Sequence, residues 1–226
     1  MTGEQLIDEV QALIGRPDDT ELITDARVTR WLNEAQQDIV EKCPGLLALE
    51  FDNTSLVCVS DQVAYNISDI TCGDDTASNY VAHLLDVFFL DGDNSFRIPY
   101  THIDEFDGFF PDITTRSPDK PTRWTRAGNQ IKVSPRPSTD YVDYILKVKG
   151  TAYAEDFTTN DSDASDISMA DNGLIYYAVG EAWASIGNED RSLIYKQKYQ
   201  SWLDDYIDKN DNIHSWDGNL YSDGIY

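Results

Sequence analysis

The sequence predicts an α+β fold: an antiparallel helical bundle formed by both ends of the chain, an inserted antiparallel β subdomain, and an extended C-terminal arm. Three observations predict it. Apolar residues recur every three or four positions near each end, β-branched and alternating runs fill the middle, and the last stretch is polar with scattered aromatics. We place the N-terminal helical hairpin at 1–45, the β-rich insertion at 46–167, the C-terminal helical hairpin at 168–209 and the arm at 210–226.

The clearest helix signal lies in residues 23–45. Thr24 or Asp25 can accept hydrogen bonds from the free N–H groups of the first turn. Pro44 ends the helix, because a proline drives the preceding residue out of the helical region. Polar side chains, Asn33 among them, fall on the other faces. The apolar stripe, which we expect in the core of the bundle, consists of Val28, Trp31, Leu32, Ala35 and Ile39.

A shorter helix precedes this one. Thr2 followed by Gln5 forms a capping box at its start, and Gly15 with Pro17 ends it. The connecting loop is short, so we expect the two helices to pack as an antiparallel pair. The apolar face of the first helix consists of Leu6, Ile7, Val10, Leu13 and Ile14.

The middle of the chain has the patterns of antiparallel β-structure, since β-branched and aromatic runs flank short turns of Gly, Asn, Asp and Ser. The acidic run that follows has no period and reads as a connecting loop at 155–171. The predicted elements are a hairpin of 56–59 with 63–67, a strand at 80–90 with a partner at 95–100, helical turns at 103–110, a hairpin of 121–126 with 130–135, and a strand at 141–153.

Helical periodicity returns in the C-terminal part of the chain. The first of two helices has a wide, alanine-rich stripe that includes Trp183 and ends at Gly187 and Asn188. The second spans 190–209 and has Trp202 on its stripe. We expect both tryptophans in the core of the bundle. The full stripe of the second helix consists of Ile194, Tyr195, Tyr199, Trp202, Leu203 and Tyr206.

The last residues, 210–226, mix Asp, Gly and Asn with apolar side chains and have no core of their own. An aromatic residue in so polar a segment usually needs another surface. We therefore expect an extended arm that binds a partner through Ile213, Trp216, Leu220, Tyr221 and Tyr226.

Charge restricts the classes of function. The chain of 226 residues carries 41 acidic and 17 basic side chains, a net charge of -24. Such a surface repels phosphate, which argues against binding free nucleic acid through counterion release but is compatible with an acidic wall beside DNA. The longest apolar run, Val87 to Leu90, is too short for a bilayer, and no basic region precedes an apolar run at the start. We expect synthesis in the cytoplasm and no membrane association.

The chemistry-bearing residues do not form a recognisable site. Cys43, Cys58 and Cys72 are odd in number and widely spaced, which predicts free thiols. The motifs of nucleophilic, nucleotide-dependent and zinc catalysis are missing. Two acidic runs, 91–95 and 161–166, resemble calcium loops but lack the completing Gly and Glu. We expect no catalytic residue, metal site or cofactor, with the three histidines, His83, His102 and His214, on the surface or satisfied by neighbours.

Four segments occur in an ordered set: Leu-Ile-Asp-Glu-Val in the first helix, Ile-Thr-Asp-Ala-Arg-Val-Thr-Arg-Trp-Leu-Asn-Glu-Ala-Gln-Gln-Asp-Ile from residue 23, Pro-Thr-Arg-Trp-Thr-Arg-Ala-Gly-Asn-Gln-Ile-Lys-Val-Ser-Pro-Arg-Pro from residue 121, and the alanine-rich helix followed by Asn-Glu-Asp-Arg-Ser-Leu-Ile-Tyr-Lys-Gln-Lys-Tyr from residue 188. Together they resemble the head-to-tail adaptor, or head completion, proteins of tailed bacteriophages, especially short-tailed ones. The resemblance extends to about Tyr206.

The resemblance implies a structural virion protein in the neck, assembled in the host cytoplasm. Such proteins form a homo-oligomeric ring, usually twelve-fold, that docks below the portal protein and joins it to a downstream tail or nozzle protein. Packaged DNA passes through the channel without sequence-specific binding, and the ring helps to retain it until ejection. No catalytic residue is implied.

Two alternatives come from other classes of protein. One is a hydrolase that uses a carboxylate pair such as Asp104 and Glu105. The other is a monomeric β module that binds calcium or carbohydrate. Adjacent carboxylates are commoner on solvated faces than in active sites, so the adaptor interpretation is favoured.

Overall fold

The computed structural model describes residues 1–15, 21–44, 46, 49–70, 72, 80–92, 94–109, 117–159 and 162–220, with side chains except at 107–109 and 211–220. Within these residues the fold is α+β, with five α-helices and two antiparallel sheets. The helices are α1 (Gly3–Ile14), α2 (Asp25–Lys42), α3 (Ile103–Phe109), α4 (Asp171–Ser185) and α5 (Glu189–Leu220). The strands are β1 (Glu50–Val57), β2 (Ala64–Asn66), β3 (Val81–Asp91), β4 (Asn94–Ile98), β5 (Arg123–Ala127), β6 (Gln130–Ser134) and β7 (Ile145–Ala152).

The chain divides into two compact units. The helical unit combines Met1–Leu49 with Tyr153–Tyr226, and the β unit is the continuous segment Glu50–Ala152. The acidic segment up to residue 167, which we expected within the insertion, therefore groups with the helices. Its backbone is bound by side chains of α2, as described below.

Local sequence sets the ends of α1 and α2. The Thr2 side chain accepts from the N–H of Gln5, whose own side chain accepts from the Thr2 N–H, so the predicted capping box is present. The Thr24 side chain caps α2 by accepting from the Arg27 N–H, and the helix ends just before Cys43 and Pro44. Residues 16–20 of the connecting loop lie outside the described residues.

In the helical unit, α4 packs against α1, α2 and α5. Gly187 adopts φ 78 in the turn between α4 and α5, a left-handed conformation that glycine reaches without steric cost. The backbone of α5 stays helical up to Leu220. Residues 210–220 are therefore helical where the sequence predicted an extended arm, since no proline or helix-ending turn interrupts them. No helix in the described part of the chain is both long enough and apolar enough to cross a membrane.

The buried stripe of α2 coincides with its apolar sequence pattern. The exposed fraction is 4% for Trp31 and 0% for its companions Val28, Leu32, Ala35 and Ile39. Trp183 of α4 is also buried, at 7%. Leu13 differs from the expectation and is 42% exposed, because the buried face of α1 is centred on Leu6, Val10 and Ile14.

The buried side of α5 is rotated relative to the predicted stripe. Ile194 is 51% exposed, whereas Ser192, Tyr199 and Leu203 are buried. Trp202 is half-buried. Its indole lies against Gly173 of α4, where even a Cβ atom would collide with the ring.

The β unit contains two antiparallel sheets, with strand orders β1-β7-β3-β4 and β2-β6-β5. The β3–β4 and β5–β6 hairpins join the residues that the sequence predicted to pair. In the second hairpin the turn residue Gly128 has φ 61. The apolar core of the unit includes Phe89, Trp124, Ile131, Leu146 and Val148.

The predicted hairpin of 56–59 with 63–67 is wrong. β1 pairs with β7 and β2 pairs with β6, so the two runs belong to different sheets. Backbone partners explain the difference. The Cys58 N–H donates to the Tyr144 carbonyl and its own carbonyl accepts from Asp143, so the chain continues beside the segment before β7 instead of turning back.

Candidate interaction surfaces of the helical unit

Two amide side chains of α2 bind the segment that returns from the β unit. Asn33 donates from Nδ2 to the Phe157 carbonyl at 3.1 Å and accepts the Phe157 N–H on Oδ1 at 2.8 Å. Both backbone groups of Phe157 are thereby satisfied by one side chain, as a neighbouring strand would satisfy them. The Phe157 ring itself is buried.

Gln36 lies about one helical turn further along and repeats the pattern. Its Nε2 donates to the Glu155 carbonyl at 3.0 Å, and its Oε1 accepts from the Ser165 hydroxyl at 2.6 Å. The side chain is 1% exposed. Because a buried amide left without partners costs free energy, these bonds fix the returning segment in one position.

A charged network connects α2, α4 and α5. The Tyr199 hydroxyl donates to Oδ2 of Asp38 at 2.6 Å, and the Lys42 ammonium lies 2.7 Å from the same oxygen. Burial, and then the bond to Asp38, raise the pKa of Tyr199 above its usual range. Burial also raises the pKa of Tyr177 to about 12, with smaller contributions from Glu34, Glu181 and Asp38. Both phenols are neutral at physiological pH.

The outer side of the α4–α5 hairpin carries cations over aromatic rings. The Arg191 guanidinium lies 4.5 Å from the centre of the Trp183 ring. The Lys198 ammonium lies 4.6 Å from the Tyr195 ring and 5.7 Å from the Tyr176 ring. These contacts cover aromatic surface with charge and keep it compatible with water.

The β unit has a comparable arrangement. The Lys120 ammonium lies 3.6 Å from the centre of the Phe96 ring and 4.8 Å from that of Phe89. Phe89 also stacks on Tyr144 at 5.4 Å and meets the edge of Tyr141 at 5.7 Å. The cation thus attaches the loop before β5 to the β3–β4 hairpin.

The candidate carboxylate pair does not have the geometry of a hydrolase. Asp104 and Glu105 are adjacent and exposed in the first turn of α3, and neighbouring residues on a helix do not face each other. His102 has a local role: its Nδ1 accepts from the Asp104 N–H at 3.4 Å at the start of α3. The hydrolase interpretation is not favoured by this arrangement.

The candidate cation loops are described only in part, because Asp93 and residues 160–161 lie outside the described residues. Asp166 uses Oδ2 to accept from the Glu155 N–H at 3.0 Å, a local structural role. Among the described residues no group of three or more His, Cys, Asp or Glu side chains is placed to hold a metal ion.

The three cysteines are buried, and none is in a disulfide within the part of the chain that the structure describes. Burial raises the pKa of the Cys58 and Cys72 thiols to about 11.

The structure describes the proposed partner-binding residues of the C-terminal segment only in part. Ile213, Trp216 and Leu220 lie on helical backbone, and their side chains are outside the described set. Tyr221 and Tyr226 lie outside the described residues altogether.

A known protein family matches nearly the whole chain. The profile of the SU10 adaptor protein family matches residues 1–220 of the sequence. The chain belongs to this family of phage head-to-tail adaptors. A comparison with curated proteins returned no match. Membership identifies a structural adaptor and a virion component, associated with phage portal and tail proteins.

Sequence reasoning missed the binding role of two side chains in this adaptor, Asn33 and Gln36. A helical period assigns Asn33 to a polar face, and polar faces are usually solvated. The available signal was the pair of amides separated by three residues, Asn33 and Gln36, beside the buried stripe. Amides at such positions can bind an extended backbone segment because each offers one donor and one acceptor group.

Proposed function

We propose that this adaptor forms a homo-oligomeric ring, twelve-fold as the resemblance implies, in the neck of the virion. The ring docks below the portal and joins it to a downstream tail or nozzle protein, after assembly in the host cytoplasm. The observation that carries the proposal is the family match over residues 1–220.

The acidic character of the chain supports a role as the wall of a DNA channel. With a net charge of -24, the surface repels the phosphate backbone. Duplex DNA would then pass without adhering and without sequence-specific contacts. The closed ring helps to retain the packaged genome until ejection.

Attachment to the portal is assigned to the C-terminal segment. Its aromatic and aliphatic residues are the anchors we propose for a groove on the portal or on a neighbouring subunit, namely Ile213, Trp216, Leu220, Tyr221 and Tyr226. The first part of this segment is already helical, up to Leu220, and large aromatic side chains commonly supply much of the binding free energy at an interface.

The test uses the adaptor and purified portal rings from the same phage. Alone at low concentration, the adaptor should sediment as a monomer. Mixed with portal rings, it should co-sediment, because docking raises the effective concentration of neighbouring subunits. Portal rings and adaptor run separately are the controls. If mixtures give no common species under conditions in which heads mature, the proposal fails.

A further inference from the structure

A stripe of apolar positions on α5 extends past the level at which α4 begins. Trp202 packs against Gly173 in the first turn of α4. One turn further along α5, the Tyr206 hydroxyl donates to the Ser168 carbonyl at 3.0 Å, just before α4 begins at Asp171. The rings of Trp202 and Tyr206 stack with their centres 4.8 Å apart. In sequence, the stripe that contains these two rings continues toward the end of the helix.

The last turn of α2 lies close to the same level of α5. The Lys42 ammonium, at the end of α2, lies 5.9 Å from the centre of the Tyr199 ring. The backbone of α5 stays helical from Tyr206 to Leu220, about 20 Å at a rise of about 1.5 Å per residue. This part of α5 therefore runs past the first turn of α4 and the last turn of α2.

The sequence of this part of α5 keeps the helical period. At about 100° per residue, a single arc of about 80° contains the positions of Trp202, Tyr206, Ile213, Trp216 and Leu220. An apolar arc of this kind is the mark of an amphipathic helix, which buries it against another surface. We call the positions of Ile213, Trp216 and Leu220 the distal stripe.

The charges around the distal stripe indicate the chemistry of the surface that covers it. Residues 201–220 contain five aspartates and one lysine, Lys209. Asp205 and Asp217 border the arc, each about 20° outside it, and the other three aspartates are on the opposite side of the helix. Lys209 falls within the arc, where a long aliphatic stem can cover apolar surface. An apolar stripe bordered by carboxylates is complementary to an apolar groove bordered by basic side chains.

We propose that the distal stripe docks as a helix in an apolar groove of the portal whose rims carry Lys or Arg. Helices are bound in such grooves through anchors at i, i+3 and i+7, which is the spacing of Ile213, Trp216 and Leu220. A second copy of this chain is a poor occupant, because its net charge of -24 repels an acidic helix. This inference rests on the proposed docking to the portal and specifies its mode: a helix in a groove, where the sequence predicted an extended arm.

Alanine substitutions in the full chain separate a bound helix from a bound extended segment, with affinity for purified portal rings as the readout. A helix predicts that Ile213→Ala, Trp216→Ala and Leu220→Ala each raise the dissociation constant about tenfold or more. His214→Ala and Ser215→Ala, between the anchors, should change it by less than about twofold. In an extended segment the faces alternate, so His214→Ala would weaken binding and Ile213→Ala would not. That result would overturn the inference.

A proline substitution tests the helix itself. Asn212→Pro removes a backbone donor and clashes with the preceding turn, so it should lower portal affinity at least tenfold. Asn212→Ala, which favours a helix, is the matched control and should bind at least as tightly as the wild type. Both variants should keep the wild-type thermal midpoint, because Tyr199 and Leu203, the buried contacts of α5, precede the substituted position. Full binding by the proline variant would contradict a helical mode.

Salt and charge identify the rims of the groove. Raising sodium chloride should weaken portal binding, because it screens the attraction between the aspartates and basic rims. Asp217→Lys, at the border of the stripe, should weaken binding more than Asp211→Lys, an equal change on the opposite side of the helix. Binding that strengthens with salt would indicate an acidic groove, as a second copy of this chain would offer, and would overturn the choice of occupant.

The outcomes separate the docking mode from the proposed function. If the wild-type adaptor binds portal rings but the losses of affinity do not follow the helical period, the helical mode is wrong and the proposed docking stands. If portal rings do not bind the wild-type adaptor under conditions in which heads mature, the proposed function fails and this inference fails with it.

Discussion

At the scale of single residues, Trp31 is the largest side chain on the buried stripe of α2, with an exposed fraction of 4%. Trp31→Ala should lower the free energy of unfolding by about 3–5 kcal/mol, because the lost burial leaves a cavity in the helical unit. Urea denaturation measures the change. Ile194→Ala, at a position 51% exposed, is the control and should change it by less than about 0.5 kcal/mol. Equal effects would show that Trp31 is not part of a packed core.

Gln36 and Gln37 offer a matched pair on one helix. Gln36 is 1% exposed and bonded on both sides of its amide, whereas Gln37 is exposed. Gln36→Glu removes the donor to the Glu155 carbonyl and places a charge beside it. It should therefore lower the free energy of unfolding by about 1–3 kcal/mol, whereas Gln37→Glu should change it little.

Thermal unfolding and limited proteolysis near residues 153–167 measure the effect. The loss of stability caused by Gln36→Glu should be smaller at acid pH, because a protonated carboxyl can again donate a hydrogen bond to the Glu155 carbonyl. Proteolysis that is no faster in Gln36→Glu than in Gln37→Glu would contradict the assigned role.

Two tyrosines, Tyr65, which is buried, and Tyr177, which is half-buried, make the fold sensitive to alkali. Burial, as the main cause, raises the pKa of Tyr65 and of Tyr177 to about 12, against about 10 for an unfolded chain. A phenol whose pKa is higher in the folded state stabilises the fold below the unfolded pKa. That contribution is lost as the pH rises from about 10 through about 12.

Stability should thus decline across this window, measured by denaturation at a series of pH values. Phenolate absorbance should show part of the tyrosines titrating late in the folded protein and all of them near pH 10 in urea. Tyr177→Phe should reduce the decline. Titration of every tyrosine near pH 10 in the folded protein would be the contrary result.

At the scale of elements, the helix starts and stops were predictable because their signals are local. The capping box at Thr2 and the N-cap at Thr24 are read from neighbouring residues alone. Strand partners depend on distant residues, and this is why the segment around Cys58 was paired wrongly: its backbone partners are Asp143 and Tyr144. The rotation of α5, which exposes Ile194, likewise depends on which helix it packs against.

The C-terminal part of α5 is the element proposed to bind the portal. A chain ending after Lys209 retains Tyr199 and Leu203, the buried contacts of α5. The truncated protein should therefore melt within a few degrees of the full chain, while co-sedimentation with portal rings is lost and heads leak DNA. Trp216→Ala in the full chain should weaken portal binding without a change in length.

Calorimetry and sedimentation distinguish a portal-binding segment from a segment that belongs to the core of the helical unit. Unfolding of the truncated protein would mean that residues 210–226 belong to the core of the helical unit. Normal portal binding with normal DNA retention would remove the segment from the attachment site.

At the scale of the whole molecule, the acidic excess is the dominant property. A net charge of -24 destabilises a compact state through self-repulsion. Raising sodium chloride from low to physiological and higher concentrations should therefore raise the thermal midpoint, because screening shortens the range of repulsion. Differential scanning calorimetry tests this, with Lys198→Glu as a variant that should show a larger response. A midpoint that falls with salt would mean that local ion pairs outweigh the net charge.

The division of the chain into units also determines the order in which it can fold during synthesis. The β unit is continuous, so it can fold as soon as residue 152 has left the ribosome. Helices α1 and α2 are made first, yet α4, against which both pack, follows only after the β unit. At a translation rate of about 5–20 residues per second, the apolar faces of α1 and α2 remain without α4 for on the order of ten seconds. The nascent chain therefore exposes apolar surface of α2 to chaperones and to other nascent adaptors for that interval, and a chain that terminates before α4 lacks a helix against which both α1 and α2 pack.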